Sequence, residues 1–173
     1  MQIDEELAAL MASLPARGVR LVAKDGVWHQ RLIHQLLRLV TLGAQSSYLD
    51  GYVTTLFHTI YLTPDWESRP VADRYATLRH ELVHVQQFER WGVGMAVAYL
   101  LLPLPLGLAW CRMRLERAAY EETLRVWHRM GGRAACERLR DHVIRQFTSG
   151  SYGWMWPFPR AVARWFDRFV DGL

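Results

Sequence analysis

Residues 78–87, LRHELVHVQQ, decide how the chain folds around its most reactive side chains. His80 and His84 stand four residues apart, with Glu81 directly after the first histidine. Residues four apart on an α-helix lie one turn above each other, so both imidazoles can reach one metal ion. Glu81 projects to the side of His80, where it can take a proton from water. The stretch therefore predicts a helix that carries a metal site.

The surrounding sequence favours a long helix that packs on one side. We expect it to begin near Ser68 to Pro70, where serine can cap and proline fits the first turn, and to end at about Trp91. The apolar stripe comprises Tyr75, Leu78, Leu82 and Val85. The two histidines, Gln87 and Trp91 fall on the opposite side.

The whole chain, residues 1–173, is predicted to form one mainly helical α+β domain. Residues 1–50 supply N-terminal helices and a strand, residues 51–130 the metal-site core, and residues 131–173 C-terminal helices. Periodicity and turn signals predict helices over 4–14, 28–42, 113–130, 133–148 and 160–170, a strand within 18–26, and one or two strands within 52–66.

A catalytic zinc site needs a third protein ligand and an open position for water. The candidate lies within residues 113–125, MRLERAAYEETLR. Glu116 is the best choice, because it is in a predicted helix and Ala119, one turn on, lets two helices approach closely. Glu121 and Glu122 are alternatives that point elsewhere, since Glu121 lies about 140° round the helix from Glu116.

The motif HELVH, followed at a distance by LERAAY, resembles the gluzincin clan of zinc metallopeptidases. More narrowly, it is similar to the small minigluzincins and to uncharacterised bacterial metallopeptidase-like proteins. The resemblance covers roughly residues 51–125. It implies a small zincin-like domain, with a short β-sheet or hairpin before the HExxH helix and a helical C-terminal half. It also implies that the strand before the zinc helix, within 54–62, is the edge strand on which an extended peptide pairs.

The resemblance further implies an enzyme, a metallopeptidase-like hydrolase that holds one zinc ion and acts on a peptide or protein substrate. Its implied ligands are His80, His84 and Glu116, with Glu81 as general base. Many gluzincins carry an aspartate four residues after the glutamate ligand, which steadies a ligand histidine, and here that position is Tyr120.

Tyr120 is a candidate catalytic donor to the oxyanion that forms when water attacks a carbonyl, or else a buried aromatic residue. Tyr152 and His128 are further candidates for the same role. Peptide deformylase also uses HExxH, but its third ligand is an upstream cysteine, whereas Cys111 and Cys136 lie downstream.

The number and distribution of charged residues argue against a nucleic-acid partner. Lys and Arg total 21 against 17 acidic residues, and no run of like charges marks a basic tail, so we expect no nucleic-acid partner. The N-terminus begins with acidic residues where a secretory signal would carry cations, which predicts a cytoplasmic protein.

Residues 92–110 contain no charged residue and as a straight helix would measure about 28 Å, close to a bilayer core. Pro103 and Pro105 break that helix. We therefore predict an apolar hairpin over 92–110 that packs on its own domain or dips into one leaflet as a peripheral membrane contact. Two rival interpretations remain for the chain: a non-catalytic metal-binding protein and a membrane-surface interaction protein.

Overall fold

The structure, a computed structural model, describes residues 2–24, 52–95, 110–149 and 155–173. In chain order the described part contains helix α1 (Gln2–Ser13), strands β1 (Arg20–Ala23), β2 (Thr54–Leu56) and β3 (Thr59–Leu62), and helices α2 (Val71–Trp91), α3 (Trp110–Thr148) and α4 (Pro159–Asp171). It is mainly helical with a small sheet, as predicted for an α+β fold. The helix predicted over 28–42 lies outside the described residues.

The described sheet has three strands in the order β1, β3, β2. β1 pairs parallel to β3, and β2 pairs antiparallel to β3. β2 is therefore an edge strand of the described sheet. β3, the strand before α2, lies at the centre of that sheet, because it pairs with β1 on one side and with β2 on the other. The expectation that the strand before the helix is the edge strand is therefore wrong for β3.

The turn from β2 to β3 consists of Phe57 and His58. Phe57 has φ +52°, a left-handed conformation that is uncommon for a bulky residue. Its ring packs on Phe88 of α2, with the ring centroids 5.1 Å apart. This contact with α2 accompanies the unusual conformation of the turn.

Helix α2 spans Val71–Trp91, as the sequence predicts, but its cap differs. The N-cap residue is Pro70, and the Ser68 hydroxyl bonds to the Asp65 carbonyl oxygen at 2.7 Å. The prediction that serine caps this helix is therefore wrong, because Ser68 belongs to a preceding 3-10 turn, Trp66–Ser68. The helix ends at Gly92, whose φ of +55° favours glycine.

Helix α3 is interrupted at Gly131 and Gly132, where the backbone leaves the helical region. Gly132 has φ +61° and ψ −161°, a conformation that side chains rarely allow. The predicted division into two helices at these glycines is confirmed. The arm before the break packs on α2, whereas the arm after it contributes to a core with α4.

Two apolar cores meet at α3. The first joins α1, the sheet and α2, and includes Leu7, Leu14, Ile60, Trp66, Leu78, Leu82, Val85 and Val126. The second joins both arms of α3 to α4, and includes Tyr120, Leu124, Cys136, Phe147, Val162, Trp165 and Phe166. The first arm of α3 therefore lies between the two cores, with α2 on one side.

No helix among the described residues is long and apolar enough to cross a membrane. The hairpin predicted over 92–110 lies outside the described residues, apart from its ends at 92–95 and Trp110. At those ends Val93 is 65% exposed and Trp110 is 57% exposed.

Candidate metal centre

Two antiparallel helices face each other with matching polar positions. On α2 the facing residues are His80, His84 and Gln87, and on α3 they are Glu116, Tyr120 and Thr123. Each set follows the i, i+4, i+7 spacing that lines one side of a helix. Ala119, which is fully buried, lies between them, as expected for helices in close contact. An ion pair between Arg79 and Glu122 joins the same two helices.

The structure brings together the three predicted metal ligands. The distance from His80 Nε2 to Glu116 Oε2 is 3.6 Å, and that from His84 Nε2 to Glu116 Oε1 is 3.7 Å. One ligand atom from each of the three residues lies within 4.8 Å of the other two. The Glu116 side chain is 2% exposed and that of His84 is 8% exposed. The group is therefore compact and almost closed to solvent.

The residues present fit a zinc ion. Bonds of about 2.0–2.2 Å in a tetrahedral site place neighbouring ligand atoms about 3.3–3.6 Å apart. The separation from each histidine to one Glu116 oxygen is close to this range, and the three ligand atoms as a set lie within 4.8 Å of one another. Two imidazoles and one carboxylate are a donor set of catalytic zinc sites, and three protein ligands leave one position open.

The second ring nitrogen of each histidine has a partner that the sequence analysis did not assign. His80 Nδ1 lies 3.1 Å from Thr123 Oγ1, and His84 Nδ1 lies 2.9 Å from Gln87 Oε1. Sequence spacing could have pointed to both partners, because Gln87 is three residues after His84 and Thr123 is seven residues after Glu116, so each lies on the same side of its helix as a predicted ligand.

Glu81 is 5% exposed and receives a 2.7 Å hydrogen bond at Oε2 from the Thr55 hydroxyl of β2. Burial raises the pKa of Glu81 to about 7, opposed by the charges of His84 and Lys24 and by the Thr55 hydrogen bond. The negative charge of Glu116 raises it further. A carboxyl group with a pKa in this range can both accept and release a proton near neutral pH.

Tyr120 lies against the histidines. Its ring meets the His80 ring edge to face, with centroids 4.9 Å apart, and on the other side it contacts Phe147 at 5.4 Å. Burial raises the pKa of the Tyr120 phenol well above its ordinary value, and the charge of Glu116 adds to this effect. The phenol therefore keeps its proton. Tyr120 is therefore a core residue whose ring lies beside a predicted ligand.

The alternative third ligands point away from the histidines. Glu121 accepts hydrogen bonds from Arg117 Nε at 3.0 Å and from Trp165 Nε1 at 3.1 Å. Glu122 pairs with Arg79, beside the facing positions. Neither belongs to the group of three ligand atoms around Glu116.

The remaining candidates do not join the centre. His128 lies twelve residues beyond Glu116, which is about 18 Å along α3. Tyr152 lies outside the described residues. Trp91, which the helical pattern placed on the histidine side of α2, is 54% exposed. The face of α2 that carries the histidines is buried, because α3 covers it.

Comparison with models of protein families found no match, and comparisons with curated proteins and with solved structures found none either. The resemblance to gluzincins therefore rests on the motifs HELVH and LERAAY.

Proposed function

We propose that this chain is a zinc-dependent hydrolase of peptide bonds, built on a zincin-like fold, in which His80, His84 and Glu116 hold one zinc ion. One observation carries the proposal: three ligand atoms lie within 4.8 Å of one another, and Glu81 is adjacent in sequence to the first of them. Zinc bound there supplies a Lewis acid and lowers the pKa of water.

Glu81 acts as the general base. The Thr55 hydroxyl holds Oε2, which limits rotation of the carboxylate and leaves Oε1 to receive the proton. As the water oxygen bonds to the substrate carbonyl carbon, its proton passes to Glu81. Glu81 then returns that proton to the leaving nitrogen as the carbon–nitrogen bond breaks. The proton balance closes, because the products are one carboxylic acid and one amine.

Tyr120 stabilises the charge that develops on the carbonyl oxygen. Its phenol stays protonated, so it can donate a hydrogen bond to that oxygen. The contact with His80 keeps the ring beside the predicted ligands.

The position of β2 supports a peptide as the substrate. β2 is the outer strand on one side of the described sheet, and its Thr55 side chain contacts the predicted base. An extended peptide that adds to the β2 edge through main-chain hydrogen bonds would run close to Glu81.

The Glu81→Gln variant tests the proposed function, because it removes the base and keeps the side-chain shape. We expect zinc-loaded wild type to cleave members of a mixed fluorogenic peptide library. Glu81→Gln should retain zinc and lose about 10²–10⁴-fold in rate. The matched control is Glu89→Gln, which makes the same change at a half-exposed position on the same helix. Equal cleavage by wild type and Glu81→Gln would reject the catalytic role of Glu81, whereas no cleavage by zinc-loaded wild type would favour a non-catalytic metal-binding protein.

A second candidate function is contact with a membrane surface, and it rests on the exposed residues at the ends of the apolar stretch. Trp91, Val93 and Trp110 are each more than half exposed. The Arg114 guanidinium lies 5.4 Å from the centre of the Trp110 ring. Tryptophan beside arginine is typical of the membrane interface, where the ring lies at the depth of the headgroups.

A further inference from the structure

We propose that Thr123 and Gln87 are positioning residues, which hold His80 and His84 in the tautomer that directs both Nε2 lone pairs at Glu116. The inference rests on the proposed function, because it concerns the same metal ligands. It goes further by assigning the residues that orient those ligands.

The position of the Thr123 hydroxyl proton decides the direction of the hydrogen bond between Thr123 and His80. The Thr123 hydroxyl donates to the Ala119 carbonyl oxygen at 3.3 Å, one turn back on α3. With its single proton directed at that carbonyl oxygen, the hydroxyl oxygen accepts at the second contact, which is His80 Nδ1 at 3.1 Å. In this arrangement His80 carries its proton on Nδ1. The Nε2 atom, 3.6 Å from Glu116 Oε2, is left with a free lone pair.

Gln87 imposes the same tautomer on His84. Its amide nitrogen donates to the Leu115 carbonyl oxygen at 3.1 Å, which fixes which end of the amide is the oxygen. That oxygen lies 2.9 Å from His84 Nδ1 and can only accept, so Nδ1 must carry the proton. The lone pair of His84 then lies on Nε2, 3.7 Å from Glu116 Oε1.

Both positioning residues are anchored to main-chain carbonyl oxygens of α3, the helix that carries the third predicted ligand. The two anchoring carbonyls, of Leu115 and Ala119, belong to the residue before Glu116 and to a residue three positions after it. A shift of α3 relative to α2 would therefore disturb both tautomers and the glutamate together. Both partners are also uncharged, unlike a carboxylate partner, which would make the imidazoles more basic.

The tautomers can be measured without any metal. Two-bond proton–nitrogen correlation NMR of the metal-free wild type at about pH 8, where an ordinary histidine is neutral, distinguishes Nδ1–H from Nε2–H rings. We expect Nδ1–H for both His80 and His84. A dominant Nε2–H form at either residue overturns the proposal, whatever the protein does with zinc.

Zinc affinity supplies the second test, by competition between the protein and a chromophoric chelator for Zn²⁺. Thr123→Val and Gln87→Met remove the acceptors and should each weaken zinc binding by about 10–100-fold. Thr123→Ser keeps the acceptor and should bind zinc much as wild type does.

Wild-type affinity in both Thr123→Val and Gln87→Met overturns the positioning role. If wild type binds no zinc, the proposed function fails, and the tautomers in the metal-free protein still decide this proposal separately.

Discussion

Replacing Thr55 by valine removes the hydroxyl that holds Glu81 and keeps the size and branching of the side chain. The hydrogen bond is short, 2.7 Å from Thr55 Oγ1 to Glu81 Oε2, and the carboxyl is 5% exposed. Hydrogen bonds to charged groups contribute about 1.5–3 kcal/mol, and water has little access to replace this one. We therefore expect Thr55→Val to lower the free energy of unfolding of the metal-free protein by about 1.5–3 kcal/mol at about pH 8.

The same change should slow peptide hydrolysis and leave zinc content unchanged. If the lost free energy is all expressed in the transition state, the rate falls by about 10–150-fold. Thr55 is not a predicted ligand, so the zinc-loaded protein should still hold one ion per chain. Loss of zinc in Thr55→Val would show that the site is coupled to β2 in a way the described contacts do not explain.

Urea denaturation and peptide turnover test this prediction together. The denaturation midpoint should fall at an unchanged m value, because the surface exposed on unfolding is the same. Thr55→Ser is the matched control, since it keeps the hydroxyl and should stay closer to wild type in both measurements. A valine variant with wild-type midpoint and wild-type turnover would refute the assigned role of the hydrogen bond.

Three further predictions concern other parts of the chain. Gly132→Ala should destabilise the fold by about 1–3 kcal/mol in urea denaturation, since φ +61° with ψ −161° strains any side chain; an unchanged midpoint would contradict that backbone conformation. The hydrogen bond from Arg140 lowers the pKa of Asp167 in the folded protein. Their ion pair therefore stabilises the fold at pH values above the pKa of Asp167 in the unfolded chain. This stabilisation is lost as the pH falls through the lower pKa of Asp167 in the folded protein. Asp167→Asn should remove about 0.5 kcal/mol at neutral pH and little in acid, and an equal loss at both would exclude the pair as the cause. A Trp91→Ser, Trp110→Ser double variant should float less with anionic liposomes than wild type, and equal flotation would reject membrane contact through these residues.

Features within one helix could be predicted from the sequence. The helical period fixes where His80, Glu81 and His84 lie relative to one another, so their arrangement follows once α2 is a helix. Glu116 could be chosen over its neighbours because Glu121 is rotated away on the same helix. The break at Gly131 and Gly132 is equally local, since adjacent glycines disfavour helix.

Contacts between elements could not be predicted in the same way. The partnership of Thr123 with His80 depends on how far α2 and α3 slide past each other, which the packing of both cores determines. The hydrogen bond from Thr55 to Glu81 likewise needs the position of β2 on α2. The turn at Phe57 has no glycine or asparagine to mark it, and a contact with Phe88, distant in sequence, accompanies its conformation.

The central claim is that His80, His84 and Glu116 together hold one zinc ion. Metal analysis of purified protein after zinc loading and removal of excess metal tests it most directly, with His58→Ala as control, because His58 pairs with Glu89 and lies outside the group. We predict about one zinc per chain in wild type and His58→Ala, and loss of that zinc in His80→Ala and in Glu116→Ala. A wild type without zinc, or variants that keep it, would contradict the account.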